Sequence, residues 1–207
     1  DPLAARIGAV NTLVRVDGGY KGYNTDAIGL YRELEEENII IKDKEVIILG
    51  AGGASNAITY ICADKGAAKI YLLNRTFDKA KKLADDVNSH FGDVVVPLAI
   101  SDYRLIPEGK YPVIQTTSCG LYPHNDDAPI YDKEFYELVE AGVDIIFNPA
   151  KTMFMKLCKE SGARAYNGLK MLLYQGIAAF ELWNDIKVPK NLADKILGMM
   201  ERKLKES

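Results

Sequence analysis

Val46-Ile47-Ile48-Leu49 runs directly into Gly50-Ala51-Gly52-Gly53-Ala54-Ser55, and apolar residues then recur at helical spacing through Ile58, Tyr60, Ile61 and Ala63. That order reads as strand, tight turn, helix. Gly50 permits the sharp turn and Gly52 lets a ligand approach the backbone closely. The helix starting near Gly53, with Ala51 and Ala54 in the same turn, aims free N–H groups and the positive end of its dipole at an anion. The chemistry is that of a pyrophosphate cradle for a dinucleotide. Glycines also end strands for structural reasons alone, so the surroundings must decide. One β-α unit later, Lys69-Ile70-Tyr71-Leu72-Leu73 ends in Asn74-Arg75-Thr76, where an NAD site presents a carboxylate to the ribose 2′-hydroxyl. Arg75, with Thr76 beside it and Lys79 one turn on, suits a 2′-phosphate instead, because guanidinium makes paired, charge-assisted hydrogen bonds to phosphate oxygens. Cations at a helix start oppose its dipole, so a bound anion explains them better than solvation does, and NADP is the expected cofactor.

The chain that must position these groups has 207 residues, a formal net charge of -3 and a pI near 5.5. It is long enough for a substantial core and offers no basic field for nucleic acid. No apolar run is long enough for a bilayer, and residues 1–6 lack the layout of a signal peptide, so the expectation is no membrane and a cytoplasmic setting. Cys62, Cys119 and Cys158 are odd in number and lack a Cys-x-x-Cys pair, which predicts neither a disulfide framework nor a zinc site. The loop Tyr122-Pro123-His124-Asn125-Asp126-Asp127 has too few ligands for a metal, and no metal is expected.

In order, residues 7–14 and 19–23 read as two strands joined by Asp17-Gly18-Gly19, a β-hairpin. An isolated hairpin is marginal in water, so these strands are expected to belong to a sheet with further strands. Asn24-Thr25-Asp26 supplies caps for a helix over residues 27–38, and on its own Asp26 reads as such a cap. Then come strand 45–49, helix 54–65, strand 68–73, helix 77–90 and strand 94–100, the last demoted to an edge by Pro97. Strand 111–117 follows, then helix 133–141, strand 143–147, helix 152–161, a short strand 164–166, and helices 168–184 and 189–205. This alternation predicts an α/β fold, a doubly wound parallel sheet with helices on both faces. The stripe Leu192, Ala193, Ile196, Leu197 and Met200 is expected to face strands that this sequence does not supply.

Several segments together resemble the shikimate dehydrogenase family, NADP-dependent enzymes of aromatic amino-acid synthesis. They are Ile7-Gly8-Ala9-Val10-Asn11-Thr12, Gly22-Tyr23-Asn24-Thr25-Asp26, Gly50 to Ser55, Asn74-Arg75-Thr76, Phe147-Asn148-Pro149, and Asn167 to Gly176, in the family's order and nearly end to end. The resemblance implies reversible hydride transfer between NADPH and the ring carbonyl of 3-dehydroshikimate. Quinate dehydrogenase activity and a non-catalytic NADP(H)-binding module are the alternatives. It implies that Asn11, Asp26 and Gln175 bind the substrate's ring hydroxyls, although singly Asn11 reads as a strand terminator and Gln175 as a solvated helix residue. It further implies that Gly50, Ala51, Gly52, Gly53 and Ala54 form the pyrophosphate turn and that Asn74, Arg75, Thr76 and Lys79 form the adenosine phosphate clamp. Ile145 and Gly168 fall at the nicotinamide half. Three parts are expected. Residues 1–25 are a remnant of an α/β substrate domain, 26–168 a Rossmann-like NADP domain, and 169–207 helices packing back on the substrate domain.

The departures from the family pattern carry expectations too. Its Ser-x-Ser pair, which grips the substrate carboxylate, and its Val-Thr-x-Pro-x-Lys segment, whose lysine is the general acid/base, do not occur in the sequence. The chain reads as beginning just after them. Asp26 would then lack its ammonium partner, with cofactor binding preserved and turnover crippled. Phe147 stands where the family has Tyr, and Lys170 replaces a Gly, adding bulk and positive charge near the pocket. A bare-edged hairpin and an apolar stripe predict that residues 39–168 fold autonomously, with the hairpin and closing helices mobile or buried in a homodimer.

Overall fold

A computed structural model describes residues 1–206; Ser207, the end of the expected third part, lies outside the described residues. The chain opens with helix α1 (Pro2–Ile7) and the antiparallel hairpin β1 (Thr12–Val16) and β2 (Gly19–Tyr23), followed by α2 (Thr25–Glu36). The alternating part comprises β3 (Glu45–Leu49), α3 (Gly53–Asp64), β4 (Lys69–Asn74), α4 (Phe77–Phe91), β5 (Val95–Ala99) and a 3-10 turn (Ile100–Leu105). It continues with β6 (Tyr111–Gln115), α5 (Lys133–Glu137), β7 (Val139–Asp144), α6 (Met153–Glu160) and β8 (Arg164–Asn167), and closes with α7 (Leu169–Asn184) and α8 (Lys190–Glu206).

β3 to β8 form one parallel sheet in the order β5-β4-β3-β6-β7-β8. Successive side chains of a strand point to opposite faces. Val46 and Ile48 accordingly join the core under α2, α3 and α4, while Ile47 and Leu49 join the core under α5 and α6. Burial on both faces explains the unbroken apolar run of β3. The chain reverses direction across the sheet between β3 and β6, which opens a crevice beyond their carboxyl ends. Gly50 and Thr116 lie there, and Thr116 Oγ1 donates to the Leu49 carbonyl at 2.7 Å.

Three expected elements differ: residues 7–14, the helix over 133–141, and the strand over 143–147, which runs instead as β7 over Val139–Asp144. Residues 7–14 are not one strand. Asp1 caps α1 by accepting the amides of Leu3 and Ala4, Pro2 sits in its first turn, and Gly8 closes it at φ 69°, so β1 begins only at Thr12. Asp1-Pro2 is a helix-start signal that the apolar run 7–14 obscured. The helix expected over 133–141 stops at Glu137, because Val139 already pairs with Tyr111 in the sheet. A Cβ on Gly142 would stand 2.8 Å from Cys158 Sγ, so β7 passes directly beneath α6.

α2 ties the parts together. Its Ala27, Leu30 and Leu34 pack in the same core as Val46 and Ile48. Its Gly29 lies so close to α7 that a Cβ would be 2.7 Å from both Gln175 N and Met171 O. The stripe on α8 is covered within the chain, since Ala193, Ile196, Leu197 and Met200 pack with Leu173 and Ile177 of α7, while Leu192 stays exposed. The hairpin is anchored by Trp183 Nε1 donating to Leu13 O at 2.9 Å and by Asp1 N donating to Gly22 O at 2.9 Å. Among the described residues, no helix is long and apolar enough to cross a membrane.

Candidate active site

The cofactor side is built by the turn after β3. Gly50 sits at φ 111°, a conformation that suits glycine, and a Cβ there would be 2.6 Å from Thr116 Oγ1. Gly52 and Gly53 differ, because a Cβ on either would meet nothing within 4 Å. Packing therefore does not require glycine at these two positions. α3 has Gly52 at its N-cap and no side-chain cap. Ser55, which could have capped it, instead donates its hydroxyl to Gly50 O at 2.6 Å. The amides of this first turn thus point outward with the dipole behind them.

A cleft of about 620 Å³ runs from this turn along α4, lined by Ala51, Gly52, Gly53, Asn56, Lys79 and Lys82 among others. Asn74 holds the loop into α4 by donating to Thr76 O at 2.8 Å, and Arg75 and Thr76 are exposed beside it. Among the described residues neither Lys79 nor Lys82 makes an ion pair, although Lys81, on the adjoining face, pairs with Asp85 at 2.7 Å. Asp86, also in the cleft, accepts the Tyr60 hydroxyl at 2.8 Å. Two uncommitted ammonium groups, open glycines and an uncapped helix end fit the phosphates of a dinucleotide. Sequence reasoning missed Lys82, whose signal was its spacing, three residues after Lys79 on one helix face.

Asn11 and Asp26 come together where the hairpin meets α2. Asn11 Oδ1 accepts from Thr25 N at 2.9 Å, Thr25 Oγ1 at 3.1 Å and Thr12 Oγ1 at 3.1 Å. The cap of α2 is Asn24, whose Oδ1 accepts from Ala27 N at 3.2 Å, so Asp26 is not the capping residue. Burial raises the pKa of Asp26, opposed by a hydrogen bond from Asn11, and no cation contributes. Gln175 faces α2 at Gly29, one turn beyond Asp26, and donates to Leu172 O at 3.1 Å. Lys170 turns away, its ammonium held by Glu36 of α2 at 2.7 Å and by Glu37 just after it, so it brings no free charge to the pocket.

Ile145 and Gly168 meet at the carboxyl ends of β7 and β8. Ile145 N donates to Gln115 O at 3.1 Å and Gly168 N to Ile146 O at 3.1 Å, and a Cβ on Gly168 would collide with the Ile145 carbonyl. The loop is braced by Asp144, fully buried, which accepts from Ile146 N at 3.0 Å, Thr152 Oγ1 at 2.6 Å and Gln115 Nε2 at 3.4 Å. Burial raises its pKa to about 6 against those hydrogen bonds. This bracing was missed, although an aspartate inside the apolar run Val143 to Phe147 was a visible sign. Phe147, beyond it, is 38% exposed.

Fold and crevice define a doubly wound dinucleotide-binding domain. Residues 33–101 match the family model described as Shikimate / quinate 5-dehydrogenase, and residues 168–195 that of the Shikimate 5′-dehydrogenase C-terminal domain. The chain is 39% identical over 196 residues to the shikimate dehydrogenase (NADP(+)) of Carboxydothermus hydrogenoformans, covering 95% of this chain and 69% of that protein. The solved chorismate mutase/shikimate 5-dehydrogenase fusion protein of Clostridium acetobutylicum superposes with a TM-score of 0.86 at 33% identity, over 100% of this chain and 71% of that one. The Thermus thermophilus shikimate 5-dehydrogenase, solved in complex with NADP(H) and shikimate, gives 0.78 at 31% identity, over 96% and 71%. This chain belongs to the shikimate dehydrogenase family, and it spans about two thirds of the length of the relatives it matches.

Proposed function

We propose that the chain is the cofactor-binding and part of the substrate-binding machinery of an NADPH-dependent reductase that interconverts 3-dehydroshikimate and shikimate in the cytoplasm. The observation that carries this reading is the pairing of family membership with a crevice whose Gly52 and Gly53 leave open space above an uncapped helix. Gly50, Ala51, Gly52, Gly53 and Ala54 would hold the pyrophosphate. Asn74, Arg75, Thr76, Lys79 and the newly found Lys82 would hold the 2′-phosphate, and the backbone of Ile145 and Gly168 would border the nicotinamide. When bound, the nicotinamide supplies a hydride. Asn11, Asp26 and Gln175 would orient the ring hydroxyls of the substrate, with Phe147 at its border.

Reducing a carbonyl also needs a proton donor, and a positioned one is worth about a hundred to ten thousand fold in rate. Among the described residues no cation perturbs Asp26. A non-catalytic NADP(H)-binding module is therefore the second reading, and these 207 residues are expected to turn over slowly under the first reading and not at all under the second. Nicotinamide absorbance with 3-dehydroshikimate, and with the quinate analogue in parallel, separates the two. Measurable turnover selective for either substrate supports the reductase, and tight NADPH binding without turnover supports the module. A second copy seated on the exposed Leu13, Val16 and Tyr20 of the hairpin would make a homodimer, which sedimentation tests.

A further inference from the structure

α7 begins with Gly168, which has no side chain to cap it, yet its first amides are not left open. Asn167 Oδ1 accepts from Leu169 N at 3.2 Å, and Glu33 reaches across from α2 to accept from Met171 N with Oε2 at 3.0 Å. Glu33 is 1% exposed, and its other oxygen, Oε1, is buried without a partner. A half-satisfied carboxyl in a core is a burden that packing alone does not explain, since an apolar side chain would fill the space without it. What the carboxyl does is pin the first turn of α7, the turn that carries Gly168.

Gly168 has little freedom of its own. Its amide is held by Ile146 O at 3.1 Å and its Cα lies against the Ile145 carbonyl, so a shift of the first turn of α7 moves this backbone pair directly. We infer that Glu33 is a positioning residue for the nicotinamide end of the crevice, fixing Gly168 against Ile145 through the Met171 amide. This rests on the reading of the crevice as an NADP site. Burial also pushes the Glu33 carboxyl up to about 8, against the hydrogen bond from Met171. The titratable groups facing it are Glu36 of α2 and Glu37 at its end, Lys170 of α7, Tyr166 of β8 and Glu201 of α8. Against the burial that raises it, hydrogen bonds from Lys170 and Tyr174 bring Glu36 down to about 2, far from the Glu33 range.

The test compares two ligands in the full chain by calorimetry. NADPH spans the whole crevice, whereas adenosine 2′,5′-bisphosphate occupies only its adenosine end. Glu33→Ala should weaken NADPH about tenfold, as expected for losing one buried acceptor of a backbone amide, and leave the bisphosphate within about twofold. Glu33→Gln, whose amide oxygen still accepts from Met171, should restore NADPH to within about threefold. Equal weakening of both ligands, or of neither, overturns the inference while the cofactor reading stands. An unaltered chain that binds neither ligand overturns the cofactor reading and the inference with it. If Glu33→Ala does not fold, amide resonances of the unaltered chain decide. That of Gly168 should titrate with the midpoint of Met171, and a fixed Gly168 beside a moving Met171 overturns the inference.

Discussion

Two helix N-termini open onto the same edge of the sheet, and they are finished in opposite ways. α3 and α7 both have glycine at the N-cap and neither is capped by it. At α3 the nearest hydroxyl, Ser55, is turned inward and the space above Gly52 is empty. At α7 the first turn is satisfied by Asn167 and Glu33, and the space above Gly168 is filled by Ile145. Unpaired helix amides are tolerated where water or an anion can reach them and are satisfied by the protein where they cannot. The same residue type is therefore left with open space at one helix and required by packing at the other.

That contrast is broken most severely by adding a methyl group. Gly168→Ala should destabilise the chain by about 3 kcal/mol or more, since its Cβ has no room beside Ile145, and the loss is read as a lower urea midpoint. Gly52→Ala should act on the ligand rather than on the fold. Gly52 has φ -97° and open space above it, so the entropy gained by alanine and its poorer N-cap should roughly cancel, leaving apo stability within about 1 kcal/mol while NADPH weakens tenfold or more. If Gly52→Ala left NADPH binding unchanged, the open space at α3 would not be a phosphate cradle.

pH sharpens the contrast from the occupied side. The folded state raises Glu33 from an ordinary 4.5 to about 8 and Asp144 from 3.8 to about 6, in both cases chiefly by burial. Between the ordinary and raised values the native chain holds protons that the unfolded chain has released. The stability these groups contribute is fully present below the unfolded values and is lost as pH rises through the folded ones. The unfolding free energy from urea titrations should thus fall between about pH 4 and about pH 8, by several kcal/mol in total. Glu33→Gln should abolish the decline between about pH 6 and pH 8 and leave a shallower one below about pH 6, which belongs to Asp144. A decline that persists undiminished in Glu33→Gln would place the titrating group elsewhere.

The free end was far easier to see in the sequence than the occupied one. Val46 to Ser55 and Asn74 to Lys79 lie close along the chain, and their turn and charge chemistry is local, so strand, cradle and clamp could all be recognised there. Glu33 and Met171 are 138 residues apart, and nothing about a glutamate in an amphipathic helix marks it as the partner of a distant amide. Asn11 and Asp26 were legible only through the family pattern, since each has an ordinary local role, and the local role expected for Asp26 falls to Asn24. The helix α1 was hidden because residues 7–14 offered a more familiar apolar run than the six-residue helix before them. The extent of β7 depended on pairing with β6, which no local pattern encodes.

On the free end, Arg75→Ala should weaken NADPH about tenfold and leave NADH within about twofold, because one charge-assisted phosphate contact is removed and the adenosine site is otherwise intact. Fluorescence titration with the two nucleotides reads this directly. Equal losses would mean that Arg75 does not serve a 2′-phosphate.

Lys81 and Lys82 give the finest version of the comparison, because two adjacent lysines on α4 face different surroundings. Lys81 is paired with Asp85 at 2.7 Å in an exposed i,i+4 bridge, of a kind worth about 0.3–0.5 kcal/mol. Lys82 lines the cleft with Gly52 and Lys79 and makes no ion pair among the described residues. Lys81→Ala should accordingly lower stability by no more than about 0.5 kcal/mol and leave NADPH affinity unchanged. Lys82→Ala should leave stability unchanged but weaken NADPH about threefold, with a shallower dependence of affinity on salt, because a screened charge has been taken from the phosphate end. Removing an uncompensated cation matters only if an anion comes to meet it. Identical behaviour of the two variants toward NADPH would show that the cleft along α4 carries no phosphate.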